Sequence, residues 1–191
     1  YYPGARDRWQ AFVDAHPEAE TYGAAGPDQV PFTLIPDIDA GNADDIAFKT
    51  EAFCGVFGEV GLDAPRSVPD YLEQAVDFCN EQLWGTLSAS IIVHPQSLKD
   101  PAIAAAVERA IDRLEYGSVV LNHWSALPYG TVSMPWGAYP GHSDQDIQSG
   151  RGVVHNTYLL EDVEKCVLRG PFRQPTKPLL FHTSRTTPRP D

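Results

Sequence analysis

The sequence is short of basic residues, methionine and cysteine, and it has no long apolar run. Lys and Arg number 14 against 26 Asp and Glu, a formal net charge of −12. A chain this acidic lacks the positive footprint that binds a phosphate backbone, and it has no polybasic stretch for anionic lipid. Neither a nucleic-acid nor a membrane partner is expected. No apolar stretch approaches the roughly 18 residues of a membrane-spanning helix, and no Lys/Arg-led apolar leader is visible. Cys54, Cys79 and Cys166 are odd in number and contain no CxxC pair, which argues against a disulfide framework or a Cys-rich zinc site. Free thiols fit a reducing compartment, so a cytoplasmic location is expected. Neither GxGxxG nor GxxxxGK[ST] occurs, so the usual pyrophosphate cradle is missing. The chain opens Tyr1-Tyr2-Pro3-Gly4 and its one methionine is Met134. The expectation is a tail piece of a longer polypeptide.

What is present is ordinary for a globular domain. The 191 residues are 42% hydrophobic, 10% aromatic and 21% charged, which excludes wholesale disorder. A chain of this length hides roughly 70% of its unfolded surface. Ala5, Trp9, Phe12 and Val13 recur at helical spacing. Pro17, Gly23, Gly26 and Pro27 then open a loop. Pro31 to Ile35 reads as a short strand, and residues 37–50 read as an exposed acidic connection.

The next stretch is the most regular. Phe53 to Val60 reads as a buried strand. Ser67 caps a helix with Pro69 in its first turn and an apolar stripe of Leu72, Val76, Cys79 and Leu83, stopped by Gly85. Leu87 to Val93 is the next strand. Asp100-Pro101 starts a second helix, with Ile103, Val107, Ile111 and Leu114 as its stripe and Gly117 as its C′ residue. Ser118 to Leu121 is a third strand. Residues 53–122 therefore read β-α-β-α-β, the pattern of an α/β fold with parallel strands and right-handed crossovers. Function in such sheets gathers at the carboxyl ends of the strands, here the loops after Val60, Val93 and Asn122. Residues 123–152 form an aromatic, glycine-rich loop region, and 153–160 fit a strand or a short helix equally. Beyond Gly170 a proline-rich tail excludes helix, and Leu179-Leu180-Phe181 within it is apolar enough to dock on another surface.

Few side chains point to chemistry on spacing alone. His123, His142 and His155 with Asp144 and Asp146 have no metal-ligand spacing, and loop polar residues are the expectation. Cys54 falls inside an apolar strand run, without the helix N-terminus or cationic neighbour that a reactive thiolate needs. A buried structural thiol is expected there, and Cys79 lies on the apolar stripe of its helix. Glu51 could accept hydrogen bonds from the paired hydroxyls of a sugar, with Phe53 resting on a flat ring; a solvated Glu is the plainer alternative. Trp124 and Trp136 fit a pocket or a core equally.

The order of segments resembles the C-terminal part of the aldehyde dehydrogenase family. Glu51-Ala52-Phe53-Cys54-Gly55-Val56 resembles its E-x-F-G-P-V element. Asn80 followed by Trp84-Gly85-Thr86-Leu87-Ser88-Ala89 resembles its A-N-x-x-x-Y-G-L-S-A segment. Gly117 to Asn122 resembles G-x-V-x-(V/I)-N, Pro135-Trp136-Gly137-Ala138 resembles P-F-G-G, and Ser149-Gly150-Arg151-Gly152 resembles S-G-x-G. The matching span, residues 51–152, is about half the chain. Cys54-Gly55 stands where the family has Gly-Pro, and residues 139–148 lengthen the usual spacing between the last two elements.

The resemblance implies a three-layer αβα catalytic domain, partial over residues 1–152, with 153–191 as a C-terminal segment and tail that helps subunits associate. It implies an enzyme in which a cysteine thiolate attacks an aldehyde, hydride passes to NAD or NADP, and a glutamate base assists hydrolysis of the thioester. Carried over, Glu51 holds the nicotinamide ribose and Phe53 contacts the nicotinamide, while Asn122 and Trp124 border the substrate funnel. The family's nucleophile lies upstream of this Glu, and all three cysteines here follow it. The chain alone is therefore expected to be inactive, and the parent to be a homo-oligomer acting on a small-molecule aldehyde. The alternatives are a free-standing binding or assembly module with the same fold, and a cysteine hydrolase using Cys54.

Overall fold

The computed structural model describes residues 2–23, 26, 29–63 and 65–173. The proline-rich tail and its Leu179-Leu180-Phe181 lie outside the described residues. In chain order the elements are α1 (Ala5–Ala15), β1 (Glu20–Tyr22), β2 (Phe32–Asp39), α2 (Ile46–Lys49), β3 (Val56–Gly61), α3 (Val68–Glu81) and β4 (Ser88–Ile91). A 3-10 turn at Ser97–Lys99 follows, then α4 (Pro101–Arg113), β5 (Ser118–Leu121), α5 (Leu127–Gly130), β6 (Trp136–Gly137), β7 (Val153–Val154) and β8 (Cys166–Arg169). The class is mixed α/β.

Local chemistry accounts for the two long helices. The Ser67 hydroxyl accepts from the Asp70 amide and the Asp100 carboxylate accepts from the Ala102 amide, each with proline in the first turn. These caps satisfy amide donors that the first helical turn leaves without partners. The C-terminus of α4 is finished differently from the sequence expectation. Gly117 is not its C′ residue, because Leu114 leaves the helix in an extended conformation. Side chains serve the last carbonyls instead. Asn80 Nδ2 donates to the Arg113 carbonyl at 2.9 Å, and Lys165 Nζ donates to those of Ile111, Asp112 and Leu114 at 3.3, 2.6 and 2.8 Å.

Among the described residues the strands form two three-stranded sheets and one two-stranded ribbon rather than a single sheet. β4, β5 and β8 are all parallel, with Ser88, Ser118 and Cys166 in register. β4-α4-β5 is therefore the expected crossover unit. β3, however, pairs parallel with β2, and β1 adds antiparallel to β2. The β-α-β-α-β reading thus holds element by element, but α3 crosses from one sheet to the other. β6 pairs antiparallel with β7.

Three further expectations are corrected. Residues 37–50 are not simply an exposed connection: β2 runs on to Asp39, and α2 buries Phe48. β2 continues past Pro36 because a register shift between Ile35 and Ile38, with Asp37 at φ 49°, absorbs the proline's missing donor. The strand drawn from Phe53 begins only at Val56, so Cys54 lies in the bend before it. That strand is also not buried: among the described residues β3 is an edge strand, and Phe57 is 69% exposed.

Two apolar clusters result. One gathers Val76, Val107, Ala110, Ile111, Leu114, Tyr116, Val119 and Leu121 under the parallel sheet. The other gathers Phe12, Ile35, Ile38 and Phe48, with Phe78 and Leu83 packed against it. α3 reaches both, through Val76 on one side and Phe78 on the other.

Candidate functional site

Four of the five segments singled out from sequence are tied together around Thr86. Its amide donates to Ser149 Oγ at 2.8 Å, and its hydroxyl lies 2.6 Å from His142 Nε2. Its carbonyl accepts from the Gly117 amide at 2.9 Å and the Tyr139 amide at 3.1 Å. Backbone meets backbone at these junctions because the residues there are glycine. A Cβ on Gly117 would overlap the Gly137 carbonyl, and one on Gly137 would overlap the Gly152 carbonyl. Residues 84–89, 117–122, 135–138 and 149–152 are thereby tied together. The fifth segment joins through α2, where the Trp84 amide donates to the Phe48 carbonyl at 2.7 Å.

Glu51 and Phe53 line one open cavity of about 500 Å³, together with Phe48, Phe78, Leu83 and Trp84. Glu51 is exposed, and Phe53 is 50% exposed. Phe53 sits at φ 47°, a left-handed conformation that costs a non-glycine residue about 1 kcal/mol or more and that gathers at functional sites. Tyr2 and Phe53 pack in a T-shaped pair with 5.1 Å between ring centroids. Cys54 lines the same cavity. Burial pushes its thiol above the ordinary value and the nearby Arg8 guanidinium pulls it back in part. This is the opposite of an activated nucleophile.

Asn122 and Trp124 stand elsewhere, at the carboxyl end of β5, and neither lines that cavity. Asn122 has φ 57°, and its Oδ1 accepts from the Val93 amide at 2.8 Å, tying the end of β4 to the end of β5. Trp124 is 69% exposed, and its amide donates to His123 Nδ1 at 2.8 Å. The structure thus brings Glu51 to Phe53 and Asn122 to Trp124, as two separate pairs.

The other histidines have local partners. His142 meets Thr86, His155 Nδ1 lies 3.1 Å from the Met134 carbonyl, and Asp144 pairs with Arg151. Among the described residues no group of three or more His, Cys, Asp or Glu could hold a metal ion. Among the described residues no helix is long and apolar enough to cross a membrane.

Sequence reasoning passed over Arg8, which contacts the Glu51–Cys54 turn from 44 residues away. It also passed over Trp84 as a cavity wall. Nothing in linear spacing joins Arg8 to Ala52; Trp84 was visible inside its segment but was read only as part of a motif. No family model matches the chain, and no curated protein matches it.

Proposed function

We propose that the chain is the C-terminal part of an NAD(P)-dependent aldehyde dehydrogenase, converting a small-molecule aldehyde to a carboxylate. One observation carries this reading. Four of the five segments that resemble the family, far apart in sequence, are tied together at Thr86, Gly117 and Gly137, where main chain approaches main chain so closely that only glycine fits at Gly117 and Gly137.

The residues present fit the nicotinamide end of the cofactor. Glu51 offers an exposed carboxylate that accepts hydrogen bonds from ribose hydroxyls, and Phe53 offers a half-exposed ring beside it. The cofactor, when bound, supplies the hydride acceptor. Asn122 and Trp124, at the carboxyl end of a parallel sheet, border the path of the aldehyde. The three-layer αβα arrangement belongs to the same proposal: the parallel sheet β4-β5-β8 would be one part of a larger sheet. The nucleophile, the glutamate base and the phosphate-binding domain would come from preceding polypeptide, and the assembled enzyme would be a homo-oligomer in the cytoplasm.

The test is an activity assay on two proteins. The 191-residue chain with an aldehyde and NAD(P)+ forms no NAD(P)H. The same chain joined to an upstream segment with a cysteine loop and a dinucleotide-binding domain does form it. In that longer protein Glu51→Gln raises the KM for the cofactor about tenfold, the cost of weakening one charge-assisted hydrogen bond. Turnover by the short chain alone, or a KM that ignores Glu51→Gln, defeats the proposal.

A non-catalytic assembly module is the second reading, and one observation favours it. Tyr22, Phe32 and Phe57 share a face of the first sheet through the pairs Tyr22–Phe32 and Leu34–Phe57, and all three are at least half exposed. An inactive longer protein would move this reading ahead.

A further inference from the structure

The turn that carries Glu51 and Phe53 is held by a residue from α1. Arg8 Nε donates to the Ala52 carbonyl at 2.9 Å, the peptide group between the two. Its Nη1 donates to the Pro3 carbonyl at 2.9 Å, which fixes the guanidinium from the other side. The guanidinium carbon lies 5.7 Å from the centre of the Phe53 ring, within reach of a cation–π contact. Gly4, at φ 75°, leaves room for it, since a Cβ there would crowd Nη1 at 3.1 Å. Nη2 is buried with no hydrogen-bond partner among the described residues.

That orphaned donor weighs against a purely structural role. A buried N–H without an acceptor is destabilising. A lysine could reach one carbonyl with no planar group to bury. A guanidinium can both hold the Ala52 carbonyl and present a planar cation to the ring of Phe53, 5.7 Å from its carbon. The turn also needs holding, because Phe53 sits in a left-handed conformation that its own side chain disfavours.

We propose that Arg8 is the positioning residue of this site: it clamps the Glu51–Cys54 turn so that the carboxylate and the Phe53 ring stand ready for a nicotinamide ribose. The proposal rests on the dehydrogenase reading for its ligand, and on geometry alone for the clamp. Arg8 touches neither substrate nor cofactor in this scheme and acts through Ala52 and Phe53.

Two measurements on the 191-residue chain separate these parts. The first is amide hydrogen exchange in the native chain, Arg8→Lys and Arg8→Gln. Exchange of the Val56 amide, which donates to the Cys54 carbonyl at 2.8 Å, should rise about tenfold in Arg8→Gln, by the weight of one hydrogen bond and one cation–π contact, and less in Arg8→Lys. Exchange within α4 should not change. Unchanged exchange at Val56 overturns the clamp, as does a rise spread evenly over the molecule. The second is a titration with nicotinamide mononucleotide, read by NMR. Arg8→Gln and Phe53→Ala should weaken it alike, with Arg8→Lys partly restoring affinity. Full affinity in Arg8→Gln overturns the link between clamp and ligand. A native chain that does not bind the mononucleotide defeats the nicotinamide reading, and the exchange result still decides the clamp.

Discussion

Lys165 shows how one side chain can finish a helix. Its stem is buried, with the side chain 10% exposed, and its ammonium serves three carbonyls at the end of α4. It also lies 5.4 Å from the centre of the Tyr139 ring, where the ring face favours a cation. The negative end of the helix dipole adds to the attraction. Lys165→Met keeps the stem and removes the charge and its donors. The expected loss is about 2–3 kcal/mol, the worth of charge-assisted hydrogen bonds whose acceptors are left short of partners. Urea denaturation would measure it, and a loss under about 0.5 kcal/mol would show that water replaces the ammonium. His16 illustrates another economy of contacts: Nδ1 lies 2.8 Å from the Phe12 carbonyl and Nε2 3.2 Å from the Asp45 carboxylate. Asp45 in turn caps α2, the element that leads into Glu51.

Between elements, the decisive contacts are those of glycine. Gly117→Ala places a methyl group against the Gly137 carbonyl, and the atom it meets is backbone, not a flexible side chain. We expect at least about 3 kcal/mol of destabilisation, the upper range for overpacking, because the strand cannot retreat without breaking the Gly117–Thr86 hydrogen bond. A melting temperature within about 2 °C of the parent chain would show that the junction yields. This junction also marks the limit of what could be read from sequence. The capped starts of α3 and α4 were legible, because a Ser or Asp before proline is a local signal. β5 was legible as an apolar run, and all four of its residues are buried. β8 was not: Cys166–Arg169 is four residues long with one buried position, too short to show a period. The partner of β3 was equally hidden, since pairing is decided by residues far apart in sequence. Gly117, Gly137 and Gly152 could be named as members of three separate segments, but their meeting in space is a property of the folded chain. Glu51 and Phe53 could be named as a pair from adjacency, whereas the Arg8 clamp could not.

For the molecule as a whole, burial sets the response to alkali. Burial is the main cause pushing up the thiols of Cys79 and Cys166 and the phenols of Tyr116 and Tyr139. All four favour the protonated form in the folded state. Their contribution is therefore complete below the ordinary values of 9.0 for a thiol and 10.0 for a phenol. It is lost as pH rises through the higher folded values. Urea midpoints should hold steady from about pH 7 to about pH 8.5 and fall beyond, with the steeper fall above the phenol range. A midpoint unchanged at about pH 11 would mean that these groups are open to water.

α3 gives the fold a shared shaft. Val76 packs into the core of the parallel sheet and Phe78 into the core around Phe48, two residues apart on one helix. Neither half can shift its helix to accommodate a changed side chain without moving the other. Substitutions accepted by one core are thus filtered by the second, and the halves are bound to drift together over evolutionary time.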